Sequence, residues 1–295
     1  MIVICPTCSK QHRLTPGRIP PHINKVRCGA CSTTFPLTAA TAIDQECPSP
    51  PRRISVSLSK GGVGKTTTAV NLAAGLACNG HRTLLIDTDT QGQDSFHLGV
   101  QTRHGLADLI TEDIAAEEAL FKARPNLWLL SGGKKLAGMK RFIDKQNFAG
   151  EYTLKNRLTA LENQFEFIII DTAPGWDSLT INVLFYTEEI VVPVSLEVLA
   201  MHGLLEFNKS LDAVRAYRQE ITIKYIVPTF LDLRMHNSES VLDRLTDLYG
   251  EKVLAPIRYN VQLSEAPAHG KTIYEYAPGS NGSKDYRQLV NSVLS

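Results

Sequence analysis

The stretch Ser59-Lys60-Gly61-Gly62-Val63-Gly64-Lys65-Thr66-Thr67 lies between an apolar run and a helix-like segment, and its residue types suit a loop that wraps phosphate. Glycines allow backbone amides to turn inward around anionic oxygens, and the positive end of the following helix adds to that field. In this reading Gly61, Gly62, Val63 and Gly64 supply the cradle, with Thr67 in the first helical turn. Lys65 faces the β- and γ-phosphates, and the Thr66 hydroxyl ligates Mg²⁺. Two acids follow an apolar strand further on: Thr83-Leu84-Leu85-Ile86-Asp87 leads into Thr88-Asp89-Thr90-Gln91-Gly92. A third acid ends Phe167-Ile168-Ile169-Ile170-Asp171, where a carboxylate at the strand terminus can hold a Mg²⁺-bound water. ATP and Mg²⁺ are the expected cofactors.

A second chemistry is written near the N-terminus. Cys5-Pro6-Thr7-Cys8 and Cys28-Gly29-Ala30-Cys31 form a C-x₂-C-x₁₉-C-x₂-C pattern, the spacing of a closed four-thiolate Zn²⁺ site. Residues 1–36 are too few to build a core of their own, so Zn²⁺ would supply most of their stability. They carry Lys10, Arg13, Arg18, Lys25 and Arg27 and no Asp or Glu, which suits nucleic acid or an acidic protein partner. Cys47 and Cys78 are expected to be bystanders, Cys78 packing as a small apolar residue.

These groups need a scaffold. The apolar runs Ile54–Ser59, Thr83–Asp87, Leu127–Leu130, Phe167–Asp171, Ile190–Val194, Ile221–Pro228 and Val253–Ile257 read as strands. Ala69–Cys78, Thr153–Asn163 and Leu204–Arg218 are among the helices expected between them. Near-continuous Val/Ile/Leu strands alternating with helices predict an α/β fold, a doubly wound and mostly parallel sheet. The expected organisation is a zinc ribbon over 1–36, a proline-rich linker over 37–53 and a P-loop NTPase domain over 54–295. In the 295-residue chain, 31 Lys and Arg against 30 Asp and Glu leave a net charge of +1, so nucleic-acid binding must come from a local patch. No apolar run approaches the ~20 residues that cross a bilayer, and no signal-peptide pattern opens the chain, so a cytoplasmic protein without membrane contact is expected.

The loop departs from the usual phosphate-loop pattern. Ser59 stands where an opening glycine is common, and a second lysine, Lys60, precedes the glycines. With these features the chain resembles the ParA/MinD family of ATPases, which carry a deviant Walker A loop. The resemblance covers 54–295 and is closest to the Soj-like chromosome-partition branch, in Ser178–Asn182, Val192-Pro193-Val194, Leu231–Arg234 and above all Asn260–Lys271. It implies that Lys60 reaches across an ATP-sandwiched homodimer to the partner's phosphates. It further implies that Asp87 helps order Mg²⁺ and its waters and that Asp89 positions or deprotonates the attacking water. Thr172-Ala173-Pro174-Gly175 resembles the family's nucleotide-sensing switch, Asn260 an adenine contact and Arg234 a position that binds non-specific DNA. Gln262 replaces a DNA-binding arginine, a loss that Arg258 could offset, and His269 is expected to be structural. No cysteine lies beyond Cys78 for an iron–sulfur cluster, the last residues fit the fold's own final helix, and Tyr274, Tyr276 and Tyr286 are too dispersed for a tyrosine-kinase tail.

The resemblance implies a slow, partner-stimulated ATPase that positions a cargo, DNA or a protein complex, on the nucleoid with the help of an adaptor. The alternative is an ATP-controlled regulatory or assembly protein whose output is protein contact, with the ribbon as the module that binds partner or nucleic acid.

Overall fold

Adjacent apolar residues of a strand point to opposite faces, so a run such as Leu84-Leu85-Ile86 demands helices on both sides of its sheet. The computed structural model, which describes residues 2–4, 11–13, 25–36, 47, 49–112, 114–232, 234 and 236–295, meets that demand. The chain divides into two compact units, Met1–Ser49 and Pro50–Ser295.

The first unit contains two antiparallel hairpins, β1 (Ile2–Ile4) with β2 (Gln11–Arg13) and β3 (Lys25–Arg27) with β4 (Thr34–Pro36). The second contains a seven-stranded sheet of β5 (Arg52–Val56), β6 (Thr83–Asp87), β7 (Phe121–Arg124), β8 (Leu127–Leu130), β9 (Phe167–Asp171), β10 (Glu189–Ser195) and β11 (Thr222–Thr229). Its order is β11-β10-β5-β9-β6-β8-β7, parallel throughout except for β7 against β8. The doubly wound α/β fold expected from the sequence is thus present.

One face of this sheet, including Ile54, Val56, Leu85, Leu129 and Ile169, packs on α1 (Lys65–Cys78) and on the helix Asn281–Leu294. The other face, with Leu84, Ile86, Trp128, Ile168 and Ile170, is covered by helices that include Leu136–Asp144, Thr153–Glu162 and Ser178–Tyr186. A further cluster under β10 and β11 joins Val192, Val194 and Ile226 to Phe207 and Leu211 of the helix Val198–Arg215. Gly75, inside α1, leaves room for side chains packed against it: a Cβ there would lie 2.5 Å from Val290 Cγ2 of the final helix and 2.6 Å from the Tyr274 hydroxyl. The helix accepts the cost of an interior glycine, about 1 kcal/mol, for this close approach.

Three sequence expectations are corrected. Arg52 and Arg53, assigned to the linker, begin β5; Arg52 pairs with Glu189 at 2.7 Å, and Arg53 with Glu162 at 2.9 Å and with Glu188. Val253–Ile257 is not a strand: it makes one bridge from Val253 to Ile226, and Pro256 has no amide with which to continue a ladder. Cys78 is exposed, because it ends α1 where the helix leaves the sheet. The sequence reading also missed β7, a short strand whose Lys122 and Arg124 suit a sheet edge. Among the described residues, no helix is long and apolar enough to cross a membrane.

Candidate functional site

The loop Ser57–Gly64 leaves the carboxyl end of β5 and enters α1 through Gly64, whose φ of 85° is the left-handed conformation that glycine adopts without strain. Glycine at the helix cap offers no side chain to the first-turn amides, which stay available to an anion. Lys65, only 6% exposed, folds its ammonium back to donate to the Lys60 carbonyl at 2.7 Å. Burial pushes its pKa down, while the charges of Asp171 and Asp89 oppose that shift. The Thr66 hydroxyl donates to Asp171 Oδ2 at 2.6 Å. Lys60 is half-buried, its stem beside Gly203 and its Nζ 3.6 Å from an oxygen of the exposed Glu197.

The parallel register of β6 and β9 sets Asp87 directly opposite Asp171 at the carboxyl ends of both strands. This is the end of an open α/β sheet where ligands bind. Asp87 is fully buried; its Oδ1 accepts from the Asp89 amide at 2.8 Å and its Oδ2 from the Asp94 amide at 3.2 Å. Burial raises the pKa of both Asp87 and Asp171; the Asp87 charge raises Asp171 further, and the Asp89 charge raises Asp87 against the backbone amides that lower it. Asp89, half-buried on the following turn, accepts from the Gln91 amide at 2.9 Å. Its carbonyl takes the Gly133 amide at the same distance. The switch-like segment is tied to its neighbours as well: the Gly175 amide donates to the Ser59 carbonyl at 3.1 Å and Thr172 Oγ1 to the Val56 carbonyl at 2.9 Å.

A cavity of about 330 Å³ opens beside the loop, lined by Gly64, Thr67, Phe96, His97, Phe230 and Asn260 among others. Its aromatic walls suit a purine base next to a phosphate cradle. Asn260 caps the short helix Val261–Glu265, accepting from the Gln262 amide at 2.8 Å. Phe230 holds φ at 59°, an unusual conformation for a residue with a side chain, and its ring leans toward Gly64. Burial pushes the His97 imidazole down to about 4, so it is neutral at pH 7.

Lys60, Lys65, Thr66, Asp87, Asp89 and Asp171 therefore gather at one end of the sheet, with Asn260 on the adjoining cavity. The orphaned, buried Asp171 Oδ1 and the inward Lys65 fit a Mg²⁺-nucleotide. Arg234 instead pairs with Asp232 at 2.6 Å while remaining 81% exposed. Arg258, the suggested replacement for an arginine at 262, is held in a fork by Asp285. His269 stacks on Tyr276 with ring centroids 5.0 Å apart, in keeping with a structural role.

Sequence reasoning missed Phe96, His97, Phe230, Asp94 and Gly132. A Cβ on Gly132 would lie 2.6 Å from Asp87 Oδ1. The signal for it was available: Gly132-Gly133 comes one residue after a buried strand, at the sheet end where the acids sit.

In the N-terminal unit Cys5 and Cys8 lie outside the described residues. Cys28 is buried at the end of β3, its Sγ accepting from the Ala30 amide at 3.4 Å, and the chain turns back by Cys28 N–H to the Thr33 carbonyl at 2.8 Å. Amides aimed at sulfur favour the thiolate, so this turn and Cys31 fit half of a zinc site.

Each of the two parts matches a known family. A zinc-ribbon domain matches residues 1–36, and an AAA domain matches residues 51–223. The sporulation initiation inhibitor protein Soj of Bacillus subtilis is 34% identical over 249 residues, covering 82% of this chain and 98% of that protein. The chromosome-partitioning ATPase Soj of Thermus thermophilus is 36% identical over 246 residues, covering 83% and 96%. Among solved structures, cobyrinic acid a,c-diamide synthase from Mycobacterium smegmatis with bound ADP and magnesium has a TM-score of 0.71 at 29% identity, covering 83% of this chain and 94% of that one. The chain thus belongs to the ParA/Soj-like P-loop ATPases of the AAA-domain family, with a zinc-ribbon domain preceding the ATPase part.

Proposed function

We propose that this protein is a Mg²⁺-dependent ATPase that dimerises around ATP and positions or partitions a cargo through ATP-controlled, non-specific binding to nucleoid DNA. When bound, ATP would supply the γ-phosphoryl group that passes to water, with ADP as the leaving group, and Mg²⁺ would offset the charge on the phosphates. The chain's own residues do the rest. Gly61, Gly62, Val63 and Gly64 cradle phosphate, Lys65 and Thr66 hold it with its metal, and Asp87 and Asp171 complete the metal's surroundings. Asp89 orients the attacking water and receives its proton, Asn260 faces the base, and Thr67 shares the wall of the base cavity. Hydrolysis is slow until an adaptor or cargo protein stimulates it. Cys5, Cys8, Cys28 and Cys31 hold one Zn²⁺, and the ribbon meets a partner or nucleic acid. The working place is the cytoplasm, on the nucleoid.

The observation that carries this reading is Lys60. The inner lysine of the loop, Lys65, is buried, whereas Lys60 pairs at 3.6 Å with a glutamate whose side chain is 72% exposed. Such a surface pair contributes ~0–1 kcal/mol, so a second subunit's phosphates can draw Lys60 off at little cost.

The pairing of Arg234 with Asp232, and of Arg258 with Asp285, favours a second reading in which ATP controls protein contact instead of DNA contact. DNA binding with ATP across a salt series separates the two. In the first reading the wild type binds with affinity that falls steeply with salt. Arg234→Ala then weakens binding and lowers the salt slope by about one, with basal ATPase unchanged. Equal, salt-sensitive binding by wild type and variant removes Arg234 as the DNA contact, and no binding by either supports the protein-contact reading.

A further inference from the structure

Asp94 has no part in the nucleotide reading, yet no carboxylate in the site is more deeply enclosed. It sits in the first turn of α2 (Gln93–Leu98) at 0% exposure. Its amide donates to Asp87 Oδ2 at 3.2 Å, while neither of its own carboxylate oxygens has a hydrogen-bond partner. Asp171 Oδ1 is in the same condition. One carboxylate oxygen from each of Asp87, Asp94 and Asp171 lies within 4.8 Å of the other two.

Burial of a carboxylate without donors is unfavourable unless a cation or a proton compensates it. Lys65 is the nearby ammonium, and it already donates to the Lys60 carbonyl. Hard divalent cations take oxygen ligands at about 2.0–2.6 Å, so a single ion can bridge oxygens at this separation. One divalent ion and the Lys65 ammonium offset the charge of these three carboxylates, with the neighbouring Asp89 outside that count.

We propose that Asp94 completes a three-carboxylate site with Asp87 and Asp171 that holds Mg²⁺ or Mn²⁺ before any nucleotide arrives. The inference rests on the assignment of Asp87 and Asp171 to the metal's surroundings and extends it. The ion is resident in the protein, so the nucleotide enters a site whose acids are already neutralised, and ADP release need not empty it of metal.

The test is a Mn²⁺ titration of the full-length, nucleotide-free protein, followed by the loss of the free Mn²⁺ signal in electron paramagnetic resonance. Mn²⁺ prefers carboxylate oxygen to thiolate, which keeps the cysteines out of the readout. The wild type is expected to bind one tight Mn²⁺. Asp94→Asn, which preserves shape, and Asp94→Ser, which removes the group, should each weaken that binding by about tenfold or more, since ligand charge sets affinity at oxygen sites. Both variants should melt at a higher temperature than wild type in metal-free buffer, where the buried acid has no counter-ion. No Mn²⁺ bound by wild type without nucleotide, or equal Mn²⁺ affinity in the variants, overturns the proposal. Mg²⁺-dependent ATP binding measured on the same samples keeps the two questions apart: a wild type that holds Mn²⁺ but not ATP contradicts the nucleotide reading and leaves this site standing.

Discussion

Lys65→Ala is expected to lose ATP binding by roughly 100-fold or more, the cost of removing a charged donor from phosphate in a water-poor site. The substitution leaves the fold in place. Lys65 bonds only within its own loop, to the Lys60 carbonyl, whereas α1 is held to the sheet by Ala69, Val70, Leu72, Ala73 and Leu76. The Thr66 to Asp171 hydrogen bond is also independent of it. Calorimetric titration of the variant, with its melting temperature measured alongside, provides the check. Near-normal ATP affinity in a folded variant would remove the P-loop assignment.

The second large effect is on turnover. Asp89→Ala should lower the hydrolysis rate by about 100-fold or more, the usual contribution of a positioned general base, while ATP affinity stays within a few-fold of wild type. The geometry makes this substitution clean. The turn is built by the backbone of Asp89, whose amide meets Asp87 and whose carbonyl takes the amides of Gly92 and Gly133, and alanine keeps all of these. Only the side-chain bond to the Gln91 amide is lost. Asp87→Ala, in contrast, strips a buried acceptor from the amides of Asp89 and Asp94 and should destabilise the domain by about 3 kcal/mol or more. Unchanged turnover in Asp89→Ala, with loss in a folded Asp87 variant, would mean that the two acids have each other's roles.

These two residues also mark what the sequence makes legible. The loop around Lys65 could be read because its chemistry is local: glycines, lysine and threonine at fixed spacing between a strand and a helix. The acids at 87 and 171 were legible because buried parallel strands are nearly pure Val, Ile and Leu, so a terminal aspartate stands out. Their pairing across β6 and β9 was not legible, since register is a tertiary property. Asp94 carries no signal of its own in the sequence; only its complete burial makes it unusual. Phe230 lies far from Phe96 in sequence and meets the same cavity only after β11 has added to the sheet. Val253–Ile257 failed as a strand because apolar content outweighed a proline in the reading, while the fold obeys the missing amide. Arg234 was found by position along the chain, but its fork to Asp232 depends on a loop conformation that spacing does not encode.

The central claim, that ATP joins two copies through Lys60, is tested most directly by sedimentation velocity of wild type and Lys60→Ala with Mg²⁺ and a slowly hydrolysed ATP analogue. The expected result is a wild-type dimer that reverts to monomer with ADP, and a Lys60→Ala protein that binds the analogue with near-normal affinity yet sediments as a monomer. A wild type that remains monomeric with the analogue bound, or a Lys60→Ala dimer as abundant as wild type, would contradict it.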